Sequence, residues 1–240
     1  MRKTKKSDQA GKKITQLLLK LANKHKRWGF GLMFSWLKNN GYRYNHKRVY
    51  RIYCELKLNL RIKPRKRLPR REARKLEQPC AANFSWSMDF MSDSLSNGKK
   101  FRTLNVIDDF NRESLAIEID YSLTSHRVTR VLDNIAIYRG YPKCIRVDNG
   151  PEFVSQTLND WAKEHDVSII YIQPGKPAQN AYIERFNRTY REDILDQYLF
   201  ANLNQVINLT EDWMYTYNNV RPHTALQGKT PWQALNEQVT

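Results

Sequence analysis

Residues 148–184 read DNGPEFVSQTLNDWAKEHDVSIIYIQPGKPAQNAYIE. The stretch follows a short buried strand pattern, residues 144–147, and contains a second one at 167–172. Between them, residues 153–165 repeat apolar side chains at helical spacing, with Phe153, Leu158 and Trp161 toward a core. A further helical pattern opens near Gln179. Strand, helix, strand, helix predicts a parallel β-α-β arrangement. Its first and last letters are acids. Asp148 ends the first strand, at the edge where open α/β sheets gather ligands, and Glu184 rides the last helix. Thirty-five residues lie between them.

Upstream, residues 84–90 read as a strand, and Asn97-Gly98 is a hairpin turn signal. Strands near 101–108 and 114–119 follow, the last alternating Leu115, Ile117 and Ile119. Three strands joined by short turns predict an antiparallel meander. Residues 125–139 carry Val128, Val131, Leu132 and Ile135 on one helical face, and a last helix is predicted over 204–217. The fold class that results is α/β, a mixed five-stranded sheet flanked by helices.

The first strand holds a third acid, Asp89, inside WSMDF. A lone carboxylate there is costly to bury without a partner, and a cation supplies one. Asp108 and Asp109, at the end of the second strand, are its rivals. Three carboxylates on separate elements would make an oxygen-rich site for Mg²⁺ or Mn²⁺. On the helix of Glu184, the residues Asn180, Glu184, Arg188 and Arg191 fall in one stripe, while Ile183, Phe186, Tyr190 and Ile194 form a core sector. Lys176 and Gln179, in the loop before it, are candidates to touch a DNA end.

The 240 residues carry a formal charge of +17, unevenly placed. Residues 1–77 hold 25 Lys and Arg against 4 Asp and Glu; residues 78–240 hold 16 against 20. A basic module for gripping phosphates thus precedes a slightly acidic one for chemistry. Within the basic part, residues 1–13 are expected as a disordered arm. Three helical patterns follow within 14–60, the third capped by Asn45. This is the layout of a small all-α helix-turn-helix module, in which Lys47, Arg48 and Arg51 face DNA. Residues 61–80 form a basic linker broken by Pro64 and Pro69, whose Arg61, Lys63, Arg65, Lys66 and Arg67 can track a DNA backbone. The expected domains are 1–60, 61–80 and 81–240.

Three widely spaced cysteines and five scattered histidines indicate neither disulfides nor zinc. With no leader and no long apolar span, a soluble cytoplasmic protein without a membrane partner is expected.

The motifs WSMDF (86–90), VIDDFNRE (106–113), DNGPEF (148–153), QPGKPAQNAYIERFNRTYRED (173–193) and YNNVRPHTALQGKTPWQAL (217–235) together resemble the IS-three family of bacterial insertion-sequence transposases, in particular their second-reading-frame product. GYRYNHKRVYRIY at 41–53 is similar to that family's helix-turn-helix segment, and the catalytic part resembles the retroviral integrase core. The resemblance implies an RNase H-like core with a D-D-E triad of Asp89, Asp148 and Glu184, and a basic residue beyond the glutamate, at Arg191. It implies DNA strand cleavage and transfer dependent on Mg²⁺ or Mn²⁺, with two ions held by the triad. It also implies double-stranded DNA, as element ends and target, and the first-reading-frame product as partners, and work at the nucleoid. Joining two DNA ends calls for at least a dimer. The rival readings are an RNase H-like nuclease acting on hybrids and a transposase-derived DNA-binding regulator without catalysis.

Overall fold

The computed structural model describes residues 2–60, 78–173 and 177–237. The chain divides into two compact units. The first comprises Met1–Pro69 and Val220–Thr230, and the second Arg70–Asn219 and Pro231–Thr240.

The first unit contains α1 (Arg2–Lys24), α2 (Phe30–Asn39) and α3 (His46–Glu55). Their apolar stripes meet in one core of Ile14, Leu18, Leu21, Trp28, Met33, Leu37, Val49, Ile52 and Tyr53. The Asn45 side chain accepts the Lys47 and Arg48 amides at 2.9 and 3.3 Å, the N-cap that the sequence anticipates. Gly41 stops the preceding helix in a left-handed conformation (φ 78°). The disordered arm expected over 1–13 is corrected: α1 begins at Arg2. This stretch has no proline, and its one glycine, Gly11, costs only about 1 kcal/mol in a helix interior.

The second unit is built on β1 (Ser85–Ser94), β2 (Lys100–Asp108), β3 (Ser114–Asp120), β4 (Cys144–Val147) and β5 (Ser168–Tyr171). Their order is β3-β2-β1-β4-β5. The first three pair antiparallel, while β4 joins β1 and β5 joins β4 in parallel. Gly98, at φ 81°, turns β1 into β2 as the Asn-Gly signal requires. Period-two alternation sends Trp86 and Met88 of β1, with Leu104 and Val106 of β2, to one face. There they pack on Val128, Val131, Leu132 and Ile135 of α4 (Ser125–Arg139) and on Leu158 and Trp161 of α5 (Gln156–Glu164). The other face carries Phe101, Ile107 and Ile119. It is covered by Ile183, Phe186 and Tyr190 of α6 (Ala181–Tyr190) and by Val206, Trp213 and Tyr217 of α7 (Leu203–Asn219). A short α8 (Pro231–Asn236) ends the described chain. Each sheet face is thus sealed by a helix pair, and polar residues of β1 and β2 on the α6 side lie under that helix.

Two boundaries differ from the sequence reading for local reasons. Helix α5 starts at Gln156 because Ser155 caps it, its Oγ accepting the Leu158 amide at 3.3 Å, so Phe153 belongs to the turn before it. The helix expected from Gln179 has three parts: a 3-10 turn over Pro177–Asn180, α6, and a π turn over Arg191–Leu195. Among the described residues, no helix is long and apolar enough to cross a membrane.

Candidate active site

Asp89 sits mid-strand on β1, paired in register with Asn105 of β2, so both project from the same face under α6. Asn187 of α6 bridges them. Its Nδ2 donates to Asp89 Oδ2 at 2.8 Å, and its Oδ1 accepts from Asn105 Nδ2 at 2.7 Å. The Phe90 amide holds the other carboxylate oxygen at 2.8 Å. Both asparagines are buried and Asp89 is half-buried, so the carboxylate is fixed from beneath and open on one side.

Asp148 follows the last residue of β4. Its Oδ1 accepts the Gly150 amide at 2.9 Å, which curls the DNG turn under the carboxylate. Asn149 Nδ2 ties the same turn to Ile172 O, just past β5, at 3.1 Å. Glu184 occupies the first turn of α6, where a helix N-terminus favours negative charge. Asp148 and Glu184 are both exposed.

These two acids act on the third. Burial, and after it the negative charges of Asp148 and Glu184, push the Asp89 carboxyl up to about 6, against the hydrogen bonds from Phe90 and Asn187. Asp148 and Glu184 thus add negative charge to the surroundings of Asp89. Among the described residues, no three His, Cys, Asp or Glu side chains are gathered into a ready metal site. The donor chemistry nevertheless suits a hard divalent ion, being all carboxylate oxygen with two of the three groups open to solvent.

Asp108 and Asp109 have other work. Asp108 accepts the Asn83 and Phe110 amides at 2.7 and 2.8 Å and closes the turns at the base of the sheet. Asp109 is fully buried and accepts from Ser85, Ser87 and Arg146 at 2.8, 2.6 and 2.9 Å. Both are satisfied inside the protein and unavailable to a ligand.

Comparison with known proteins agrees with this architecture. Residues 80–177 and 165–231 match families described as integrase core domain, and residues 9–67 match an HTH-like domain. The chain is 38% identical over 226 residues to a 31.7 kDa protein of insertion element IS407 from Burkholderia multivorans, covering 94% of this chain and 82% of that protein. It belongs to the family of these insertion-element proteins and carries their integrase core. It is also 39% identical over 218 residues to a 39.2 kDa protein of insertion element IS476 from Xanthomonas euvesicatoria, covering 91% of this chain but spanning only 63% of that protein's length. In fold, the magnesium-bound catalytic core of HTLV-2 integrase superposes with a TM-score of 0.53 at 21% identity, covering 65% of this chain and 97% of that one.

Within this integrase core, the groups that position the acids escape a reading of the sequence. Asn187 lies three residues after Glu184, hence on the same helical face, and that spacing was the available signal. Asn105 gives none, because strand register cannot be read along the chain. Arg102 of β2 forms an ion pair with Glu152 of the turn after Asp148. Its guanidinium also lies 4.3 Å over the Phe90 ring, which stacks on Phe153 at 4.8 Å. The residue after Asp89 and the turn after Asp148 are thereby latched together.

The proposed DNA contacts fare unevenly. Lys47 and Arg51 are exposed on α3, while Arg48 is half-buried with its guanidinium near Gly11 of α1. Arg188 is exposed on α6. The stripe through Asn180, Glu184, Arg188 and Arg191 is corrected. Asn180 precedes α6 and is buried, and the π turn carries Arg191 round to Asp93 at 3.2 Å and to Ser92 O at 3.0 Å. Gln179 Oε1 accepts the Gln173 amide at 2.9 Å across the loop. Arg61, Lys63, Arg65, Lys66, Arg67 and Lys176 lie outside the described residues.

Two outcomes follow from this geometry. A Cβ added at Gly150 would stand 2.9 Å from Asp148 Oδ1. Gly150→Ala should therefore displace that carboxylate from its place over the turn, with little change in melting temperature, as a crystal structure and a thermal melt of the variant would show. An Asp148 side chain left in place in the variant would contradict the role of the turn. Second, Asp89 should titrate near pH 6 without metal and well below that with Mg²⁺ added. The measurement is carboxyl NMR, with the resonance assigned by its loss in Asp89→Asn. The same shift sets a stability sign. The folded pKa lies above the unfolded one, so this group's contribution is full below about pH 4 and is lost as the pH rises through about 6. Bound cation should restore it.

Proposed function

We propose that the protein is a transposase that cuts DNA strands at the ends of an insertion element and joins them to target DNA, with Asp89, Asp148 and Glu184 as its acidic triad. The observation that carries this reading is the placement of the acids. Asp89 is held mid-strand by Asn187 and the Phe90 amide, Asp148 sits on the turn after β4 and Glu184 on the first turn of α6, and the charge of both bears on Asp89. Membership in the insertion-element family supports the substrate class.

The triad would hold Mg²⁺ or Mn²⁺, two ions in the full reading, a choice in keeping with the magnesium complex of the similarly folded HTLV-2 core. When bound, such ions polarise phosphoryl oxygen and acidify water. The chain's own residues do the rest. Asn187 and the Phe90 amide keep Asp89 ionised and aimed. The Gly150 amide fixes the rotamer of Asp148. Exposure of Asp148 and Glu184 leaves room for a scissile phosphate to approach. Water would attack first and the freed 3′ hydroxyl second, so no serine or tyrosine need form a covalent link to DNA. The basic first unit, with Lys47 and Arg51 on the open face of α3, would grip duplex DNA through phosphates, an attraction that weakens steeply with salt. Two such chains at least would pair the two element ends, with the first-reading-frame product as a further partner, in the bacterial cytoplasm at the nucleoid.

Asp148→Asn keeps the size of the side chain and removes its charge. The variant should lose strand cleavage and joining by roughly a thousandfold or more, since a lost metal ligand withdraws several kcal/mol of transition-state stabilisation. Binding to the same labelled element ends should hold within about threefold. Joined products from this variant in Mg²⁺ would overturn the assignment. A nicking assay on hybrid and duplex substrates side by side separates the transposase from a hybrid-specific nuclease.

A further inference from the structure

The first compact unit takes in a segment from late in the chain, Val220–Thr230. This segment closes on itself. The His223 amide donates to Lys229 O and the Gly228 amide to His223 O, each at 2.8 Å, around a 3-10 turn at Thr224–Leu226. Left-handed backbone at Gln227 and Gly228 (φ 56° and 86°) turns the chain back. Pro222, Leu226 and Thr230 are buried.

The closed loop is seated on α2. Asn39 Nδ2 donates to Gly228 O at 2.8 Å. A Cβ at Gly228 would stand 3.1 Å from Ser35 Oγ and 3.4 Å from Ser35 Cβ, so the loop backbone lies directly against the helix. Val220 packs on the three-helix core. Arg221 adds its charge to that of Lys24 beside the half-buried His25, whose pKa falls to about 4, chiefly through burial. These interactions involve Val220, Arg221 and Gly228, near both ends of the loop.

Helix α2 in turn supports α3. The Phe30 ring meets the rings of His46, Tyr50 and Tyr53 edge-on at 5.0, 4.9 and 5.4 Å, and Phe34 meets His46 at 4.9 Å. The position of α2 therefore sets the position of the open α3 face bearing Lys47 and Arg51.

We infer that Val220–Thr230 braces the α2–α3 pair, so that the DNA-binding unit is a composite of two distant parts of the chain and its affinity for duplex DNA depends on the loop being seated. The inference rests on the reading that the first unit grips DNA. It revises the picture of a self-sufficient N-terminal module.

The test uses the intact chain and two substitutions. Gly228→Val strains the left-handed backbone and collides with Ser35. Asn39→Ala removes the hydrogen bond to Gly228 O, leaves the backbone alone and serves if the first variant misfolds. Amide hydrogen exchange across Phe30–Asn39 and fluorescence anisotropy with a labelled duplex are read in parallel. Exchange in α2 should speed up in both variants. Duplex affinity should fall about tenfold for Gly228→Val and a few-fold for Asn39→Ala, the reach of about one hydrogen bond. Unchanged exchange in both variants overturns the seating of the loop. Faster exchange with unchanged affinity overturns the brace. A wild-type chain with no salt-sensitive affinity for duplex DNA overturns the DNA-gripping reading itself and the brace with it, and the exchange result then reports on the seating alone.

Discussion

The second unit builds one carboxylate, Asp89, into the middle of its sheet, and Asp148 and Glu184 add negative charge to its surroundings. Asp89 cannot move away. Its strand is pinned on both sides, by β2 and β4, and its carboxylate is held by the Asn187 amide and the Phe90 N–H. The two acids whose charge bears on it sit on the DNG turn after β4 and on the first turn of α6. In the proposed function that arrangement is what a cation would relieve: the negative charge that raises the Asp89 carboxyl would turn favourable once a cation is bound.

The polar layer below Asp89 shows how the sheet accommodates this. Asn105 and Asn187 replace what would otherwise be apolar contacts between β2 and α6, and they are buried in a chain of hydrogen bonds that ends on the carboxylate. Apolar packing of Ile183, Phe186 and Tyr190 on either side keeps water out of that layer. The Arg102–Glu152 pair, with Phe90 stacked on Phe153, does the equivalent work on the opposite face, where it anchors the turn that carries Asp148. Positioning on both faces of β1 is thus coupled to the same two residues, Asp89 and Phe90.

Much of this was legible from local signals. Helix α4 and strand β4 occupy the residues that periodicity assigns, the Asn-Gly turn joins β1 to β2, and Asn45 caps α3, because each of these depends on side chains near in sequence. The element before Glu184 was less legible. A 3-10 turn and a π turn at the two ends of α6 rotate Asn180 and Arg191 off the stripe that an unbroken helix would give. Those irregularities answer to tertiary partners, Asp93 and Ser92 O in the case of Arg191. Strand register, which sets Asn105 opposite Asp89, and the return of Val220–Thr230 to the first unit are long-range matters on which local pattern is silent. The membership of the chain in the insertion-element family rests on motifs strung along the sequence. The hydrogen bonds that aim its acids had to be seen in space.

The most direct measurement is anomalous diffraction from crystals of the full chain soaked in Mn²⁺. The account predicts manganese density ligated by the carboxylates of Asp89, Asp148 and Glu184, and its disappearance in Asp89→Asn. Manganese bound elsewhere, with these three side chains left unligated at saturating metal, would contradict it.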